Sequence, residues 1–233
     1  MKKLLYAALI PLSLLAASCG EDDKKNTTVT PEPKRWVKVY KNVVIADDRY
    51  PSQGQFLNTK TGTVVKVADA TDAVREQLAL TCYITESGSY VFLTAPGSLA
   101  GALGSPTTRP IFTQNPNGLN NWSPNELNTS QTYPANSRMT ATEFDNVANA
   151  GTWTAFNEAF VHVNGNENLG STLSYQFAQS GDIFLIQING ALRMIVKANT
   201  VSDAITNGYI KADVIVEGRE DMAEAGKAMM PAE

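Results

Sequence analysis

Apolar side chains recur every second residue along several short stretches of this chain, the period that marks β-strands. Leu78, Leu80, Cys82 and Ile84 alternate with Ala79, Thr81, Tyr83 and Thr85. Ile183, Leu185 and Gln187 alternate with Phe184, Ile186 and Ile188, while Ile210, Ala212, Val214 and Val216 alternate with the polar Lys211 and Asp213. Similar runs predict strands over 36–45, 90–93, 173–177 and 192–197. Phe56-Leu57 and Val64 to Val67 flank Asn58-Thr59-Lys60-Thr61-Gly62, which reads as a β-hairpin with Gly62 near the tight position. Asn189-Gly190 supplies a second hairpin turn.

Helical spacing is confined to short pieces. Asp69 or Thr71 can cap a helix carrying Ala70, Ala73, Val74 and Leu78 inward, with Arg75, Glu76 and Gln77 outward. Thr140 and Glu143 form a capping box before Phe144 and Val147, and Gly151 provides the stop. Trp153, Phe156, Ala159 and Phe160 then predict a second helix docked by an aromatic face. Met222, Ala225 and Met229 place a helical tail within 218–233. The sum is an α+β fold: a predominantly antiparallel β-sheet core with one face better buried than the other, short helices, and a long irregular insertion.

That insertion occupies residues 95–138. Its six Pro, four Gly and seven Asn leave no sustained period of either kind. A structureless run inside a domain rarely exceeds about 12–15 residues. Ile111, Phe112, Leu119, Trp122, Leu127 and Tyr133 are too many apolar groups for a plain linker, so an ordered excursion pinned by them is expected.

The beginning of the chain carries a different pattern. Lys2 and Lys3 precede an apolar run from Leu4 to Leu15, too short for the roughly 20 residues of a spanning helix but suited to an export signal. The following Leu15-Ala16-Ala17-Ser18-Cys19 resembles the lipobox of bacterial lipoproteins, with Ala16 where that pattern most often has Leu. The resemblance implies that residues 1–18 are a signal peptide and that Cys19 is acylated and becomes the first residue. Two or more acyl chains are needed for a durable anchor, because each buried methylene contributes only about 0.8 kcal/mol. Glu21-Asp22-Asp23 is similar to the signal that sends lipoproteins of the Bacteroidetes to the outer face of the outer membrane. Residues 19–34 then read as the acylated cysteine and a flexible tether, and 35–217 as a single β-rich domain.

A second resemblance rests on Phe56-Leu57 with Thr61-Gly62-Thr63-Val64, Ala68-Asp69-Ala70, Leu78 to Tyr83, and Gly181 to Ile186 leading to Ile210 to Val214. These motifs are similar to a family of uncharacterised Bacteroidetes outer-membrane lipoproteins, in which such strands recur around a variable middle. The similarity covers about half of the chain that follows the signal peptide. It implies location and architecture, and no reaction.

Composition narrows the chemistry. The chain has 233 residues, 43% hydrophobic and 18% charged, and a formal charge of −4 from 19 Lys+Arg against 23 Asp+Glu. An acidic balance without a basic cluster after the first residues argues against a nucleic-acid partner. One His and two Cys exclude a zinc cluster or a disulfide scaffold built from those residues. No metal site, cofactor or catalytic residue is assigned. Cys82, mid-strand, is expected to be buried packing.

Four features remain as candidates for chemistry or binding. Asp47-Asp48-Arg49 reads as a solvated turn with a local salt bridge, since no calcium-loop pattern supplies further oxygens. His162 shares a face with Phe160 and Asn164 if its segment is a strand, and approaches Glu158 if it is a helix. Asp145, Glu158, Glu167 and Asp182 could serve a hydrolase only if two of them converged. Among the aromatics, Trp122 lies between Asn121 and Ser123, a position that suggests exposure. With Asn120, Asn121 and Tyr133 it would form a stacking and hydrogen-bonding surface for a neutral sugar.

The leading expectation is therefore a non-catalytic binding module held at the membrane through Cys19 and exposed at the cell surface. Its partner would be an extracellular glycan, a peptide or an envelope protein. A structural or adhesive subunit of an envelope assembly is the alternative, and a hydrolase comes third.

Overall fold

Strands form where the period of two is strongest, and they assemble into two sheets instead of one. The computed structural model describes residues 34–103, 108–123, 126–127, 135–136, 139–164, 176–188 and 192–219. Among them, β1 (Arg35–Ala46), β2 (Phe56–Asn58), β3 (Val64–Val65), β4 (Leu78–Ile84), β5 (Val91–Thr94), β6 (Ala135–Asn136), β7 (Gln176–Phe177), β8 (Ile183–Ile188), β9 (Leu192–Ser202) and β10 (Tyr209–Arg219) are strands. The first sheet has the order β1-β10-β9-β8-β6 and the second the order β3-β2-β4-β5-β7. Every pairing is antiparallel.

The helices are α1 (Asp72–Arg75), α2 (Pro96–Leu103), α3 (Pro110–Thr113), α4 (Ala141–Ala150) and α5 (Trp153–Asn164). Among the described residues no helix is long and apolar enough to cross a membrane.

Alternation along each strand sends two sets of side chains to opposite faces, and both sets are covered. Leu80, Cys82 and Ile84 of β4, Phe184 and Ile186 of β8, Met194 and Val196 of β9, and Val214 and Val216 of β10 fill the space between the sheets. The other face of the first sheet, with Leu185, Ile195 and Ile215, packs against Phe144 and Val147 of α4 and Phe156 and Phe160 of α5. The other face of the second sheet, with Phe56, Leu78 and Tyr83, is covered by Leu99, Ile111, Phe112, Leu119 and Trp122. The expectation of one well-buried face is thus corrected: two sheets stack face to face, and helices or the 95–138 excursion cap the outer faces.

Local signals explain the helix limits. Thr140 accepts the Glu143 N–H at 3.2 Å while the Glu143 carboxylate accepts the Thr140 N–H at 2.6 Å. Those bonds hold the Glu143 carboxyl below its ordinary range. Gly151 ends α4 in the left-handed conformation, φ 59°. Arg75, expected outward, is buried, because α1 is a single turn whose last residue faces the excursion. At the chain's end β10 runs through Gly218 and Arg219, where a helical tail was expected, and the remainder of that tail lies outside the described residues. The Asn189-Gly190 turn, most of 173–177 and the first 33 residues also lie outside them.

Gly62 shows why its hairpin needs glycine. Its φ is +76°, and a Cβ there would lie 2.2 Å from the Tyr40 ring. Tyr40 uses the space to donate its hydroxyl to Thr59 O at 2.8 Å, locking the β2–β3 hairpin onto β1. Burial pushes the Tyr40 phenol above its ordinary value.

Gly151 shares the positive φ but has open space where a Cβ would stand. Gly151→Ala is therefore expected to lose only the left-handed penalty, about 1–2 kcal/mol. Gly62→Ala adds overpacking of about 1–3 kcal/mol. Urea denaturation of the two variants should separate the contributions, with Gly62→Ala the less stable.

Candidate functional site

The excursion over the second sheet was the expected place for a binding surface, and its local geometry decides which side chains it presents. A 3-10 turn at Leu119–Asn121 sets residues three apart on one side. Leu119 and Trp122 accordingly both enter the core, and Asn120 and Asn121 point to solvent. Trp122 is only 4% exposed. Its ring lies 5.7 Å from that of Phe56, its indole N–H donates to Asn117 O at 3.0 Å, and the Arg75 guanidinium stands 5.3 Å from its centroid. The expected exposed aromatic is thus corrected to a buried anchor, because the apolar area gained by covering β2 outweighs display of the ring. Tyr133 lies outside the described residues.

Polar side chains, Arg75 and Asn117 buried and Asn121 exposed, fasten the same segment. Arg75 donates Nε–H to Ala70 O at 3.0 Å and pairs with Asp72 at 2.8 Å and Glu126 at 3.3 Å. Its other arm reaches Pro116 O at 3.4 Å. The Asn117 amide donates to Ala68 O, and the Asn121 amide donates to Gln114 O at 3.3 Å. The exposed amides of Asn120 and Asn121 therefore stand on a framed turn.

The densest electrostatic site sits where β1 ends. Asp47-Asp48-Arg49 was expected as a solvated turn, yet Asp47 is 0% exposed and Asp48 is buried as well. The local salt bridge does form: Asp47 Oδ1 accepts Arg49 Nε–H at 2.8 Å and the Arg49 backbone N–H at 3.1 Å. What excludes water is Arg109, which arrives from the excursion. Its Nη2 donates to Asp47 Oδ2 at 2.6 Å and to Asp48 Oδ1, and its Nη1 donates to Ile84 O at 2.7 Å. Its guanidinium lies 4.1 Å from the Tyr83 ring centroid. Asp47 Oδ2 also accepts the Ile84 N–H at 2.7 Å, and Asp48 Oδ2 accepts that of Ile111 at 3.0 Å. One cluster thus joins β1, β4 and α3.

Arg109 was missed by sequence reasoning. A signal was present: it is the lone charged residue between Glu86 and Glu126, and it directly precedes Pro110-Ile111-Phe112. A single cation in a long uncharged stretch has to find its counter-ion elsewhere in the fold.

Asp47 and Arg109 keep their charges. Burial alone would raise the Asp47 carboxyl, but hydrogen bonds from Arg49 and Arg109 and the Arg109 charge outweigh it, leaving Asp47 below its ordinary range. Burial likewise opposes the charge on Arg109, and its bonds to Asp48 and Asp47 reverse that effect. Cys82, beneath this site in the inter-sheet core, is a buried free thiol pushed well up by desolvation, with the Asp47 charge acting in the same direction. An ionised, fully bonded carboxylate suits a structural clasp and has no proton to donate.

The other candidates do not converge. His162 sits on α5, which settles its segment as helix, and both it and Glu158 are exposed. Asp145 pairs with Lys197 at 2.6 Å, and Asp182 accepts the Gln179 N–H at 2.9 Å. Glu167 lies outside the described residues. Among the described residues no three His, Cys, Asp or Glu side chains are grouped so as to hold a metal ion. The chain matches no family model, no curated protein and no solved structure.

The Asp47 clasp predicts a pH dependence. A carboxyl whose folded value is depressed contributes stability that is present in full above its unfolded value, about pH 4, and is lost as pH falls through the folded value. Asp47→Asn should lower stability by about 3–5 kcal/mol near neutral pH, the range for breaking a buried pair. Chemical denaturation at several pH values should show the gap from the parent narrowing below about pH 4.

Proposed function

We propose that this chain is a lipoprotein of the outer membrane, anchored through acylated Cys19 and exposed at the cell surface, where it acts as a non-catalytic binding module. The observation that carries the binding role is the framed turn at 117–122, where Trp122, Asn117 and Arg75 are buried beneath the exposed Asn120 and Asn121. Loops held on a rigid scaffold are the usual carriers of recognition. An asparagine amide offers two donors and an acceptor, which suits the hydroxyls of a neutral glycan. Because Trp122 lies below this surface, recognition proceeds by hydrogen bonding and not by stacking on that ring.

The anchor reading rests on the lipobox resemblance at 15–19 and on the export-type charge order before it. A second reading, an adhesive subunit of an envelope assembly, draws support from Tyr90 and Ile205, exposed by 52% and 48%. The turn carrying Tyr90 meets the loop carrying Ile205 through Gly88. Both loops lie at the end of the sandwich where Asp47 N–H donates to Gly208 O, at the opposite end of β1 from Arg35.

Two outcomes test the proposal. Cys19→Ser should move the protein from the membrane fraction to the soluble fraction, and continued retention would overturn the anchor. Asn120→Ala combined with Asn121→Ala should abolish binding on a glycan array while leaving the far-UV spectrum unchanged and lowering the melting temperature only slightly, through loss of the Asn121 bond to Gln114 O. An array on which the parent protein binds nothing would retire the glycan reading.

A further inference from the structure

The outermost strand of a sheet presents a row of backbone N–H and C=O groups to any other strand that meets it. Among the described residues the two sheets end on β1, β6, β3 and β7. Three of these, β3, β6 and β7, are only two residues long. β1 is the exception at 12 residues, and among the described residues no strand lies on its side away from β10. Its last residue is closed off there, because the Ala46 N–H donates to Gly54 O at 2.9 Å. What precedes it is an edge long enough to template a second strand.

Lys41 and Asn42 interrupt that edge. Arg35 to Tyr40 pair with Arg219 to Val214, and Val43 to Ala46 pair with Ala212 to Tyr209, so two residues of β1 stand opposite the single Asp213. Asn42 takes φ +57°, the left-handed conformation that glycine usually supplies at such a bulge and that asparagine tolerates. Its backbone N–H donates to Asp213 Oδ1 at 2.8 Å, so a side chain of β10 holds the bulge where a ladder bond would otherwise run. The core does not need the extra residue. Lys41 and Asn42 are both exposed, while Trp36, Tyr40, Val43 and Ile45 all belong to the packing between the sheets. With one of the pair removed, those four would still fall on one face by simple alternation.

We propose that the Lys41–Asn42 bulge, secured by Asp213, guards the open edge of β1 against pairing with β1 of a second copy of this chain. A bulge bends its strand, raises the local twist and breaks the ladder that an incoming strand would have to follow. An identical strand is the partner to be excluded, since two copies related by a two-fold axis match the same edge against itself in antiparallel pairing. With the bulge in place, such a pair keeps continuous register only over Arg35 to Tyr40, and the exposed Lys41 sets a charge at the end of that stretch. The short β3, β6 and β7 leave the other edges too little backbone to pair, so the one long edge is the one that carries the bulge.

The test uses the full chain after the signal peptide with Cys19→Ser, so that no acyl chain drives association. Deletion of Asn42 restores an uninterrupted strand with every inward side chain on its own face. It is expected to shift the sedimenting species to twice the parent's mass or more at equal concentration, with slowed hydrogen exchange at Arg35 to Tyr40. Asn42→Gly, which keeps the left-handed bulge, should sediment as the parent does. Should far-UV circular dichroism show that the deletion variant does not fold, Asn42→Val with Asp213→Val opposes the bulge without shortening the chain. A β-branched residue rarely takes positive φ, so the same shift in mass and exchange is expected. A folded variant of either kind that sediments as the parent does would overturn the proposal. An assembly whose β1 amides exchange as fast as the parent's, or a parent whose β1 amides become protected as its concentration rises, would overturn it equally.

Discussion

Two adjacent carboxylates cannot be buried at the end of a strand unless cations come to them, and this constraint organises the molecule. Desolvating Asp47 and Asp48 would cost several kcal/mol each without compensation. Arg49 supplies part of it from two residues away, and Arg109 supplies the rest from the middle of the excursion. The excursion is thus tied to the sandwich at the point where β1 and β4 end. A buried cluster of this kind adds little net stability compared with apolar packing, but breaking it is costly. Its consequence is one docking position for a segment that has no long secondary structure to define its own.

The same device recurs on the outer layers. Arg75 ties α1 to the excursion through Ala70, Pro116 and Glu126. Glu217 ties α5, β9 and the start of β1 together through Trp153, Arg193 and Arg35. In each case a guanidinium also lies against an aromatic ring, Tyr83, Trp122, Phe160 or Trp153, so that its flat face is covered as its edge is bonded. These clasps account for buried charge in a fold whose cores are otherwise aliphatic and aromatic. The Glu217 clasp sits at the start of β1 and the Asp47–Asp48 clasp just past its end.

Rigidity links this packing to the functional reading. The 117–122 turn has its apolar members, Leu119 and Trp122, in the core and its amides outside. Recognition by Asn120 and Asn121 would therefore carry little ordering cost, because the backbone that presents them is already held.

Periodicity along the chain was enough to determine the strand-rich α+β class, the Gly62 hairpin, the Thr140–Glu143 capping box with its Gly151 stop, and the burial of Cys82. Each depends on neighbours within a few residues, where steric and hydrogen-bond rules are local. The stacking of two sheets, the burial of Asp47, Asp48 and Arg75, and the inward turn of Trp122 were decided by tertiary structure. They depend on which distant surface covers a residue: Arg109 lies 62 positions from Asp47, and Trp122 meets Phe56 across a comparable gap. A local pattern records that a side chain is polar or aromatic, whereas its exposure is set by partners that only folding brings beside it.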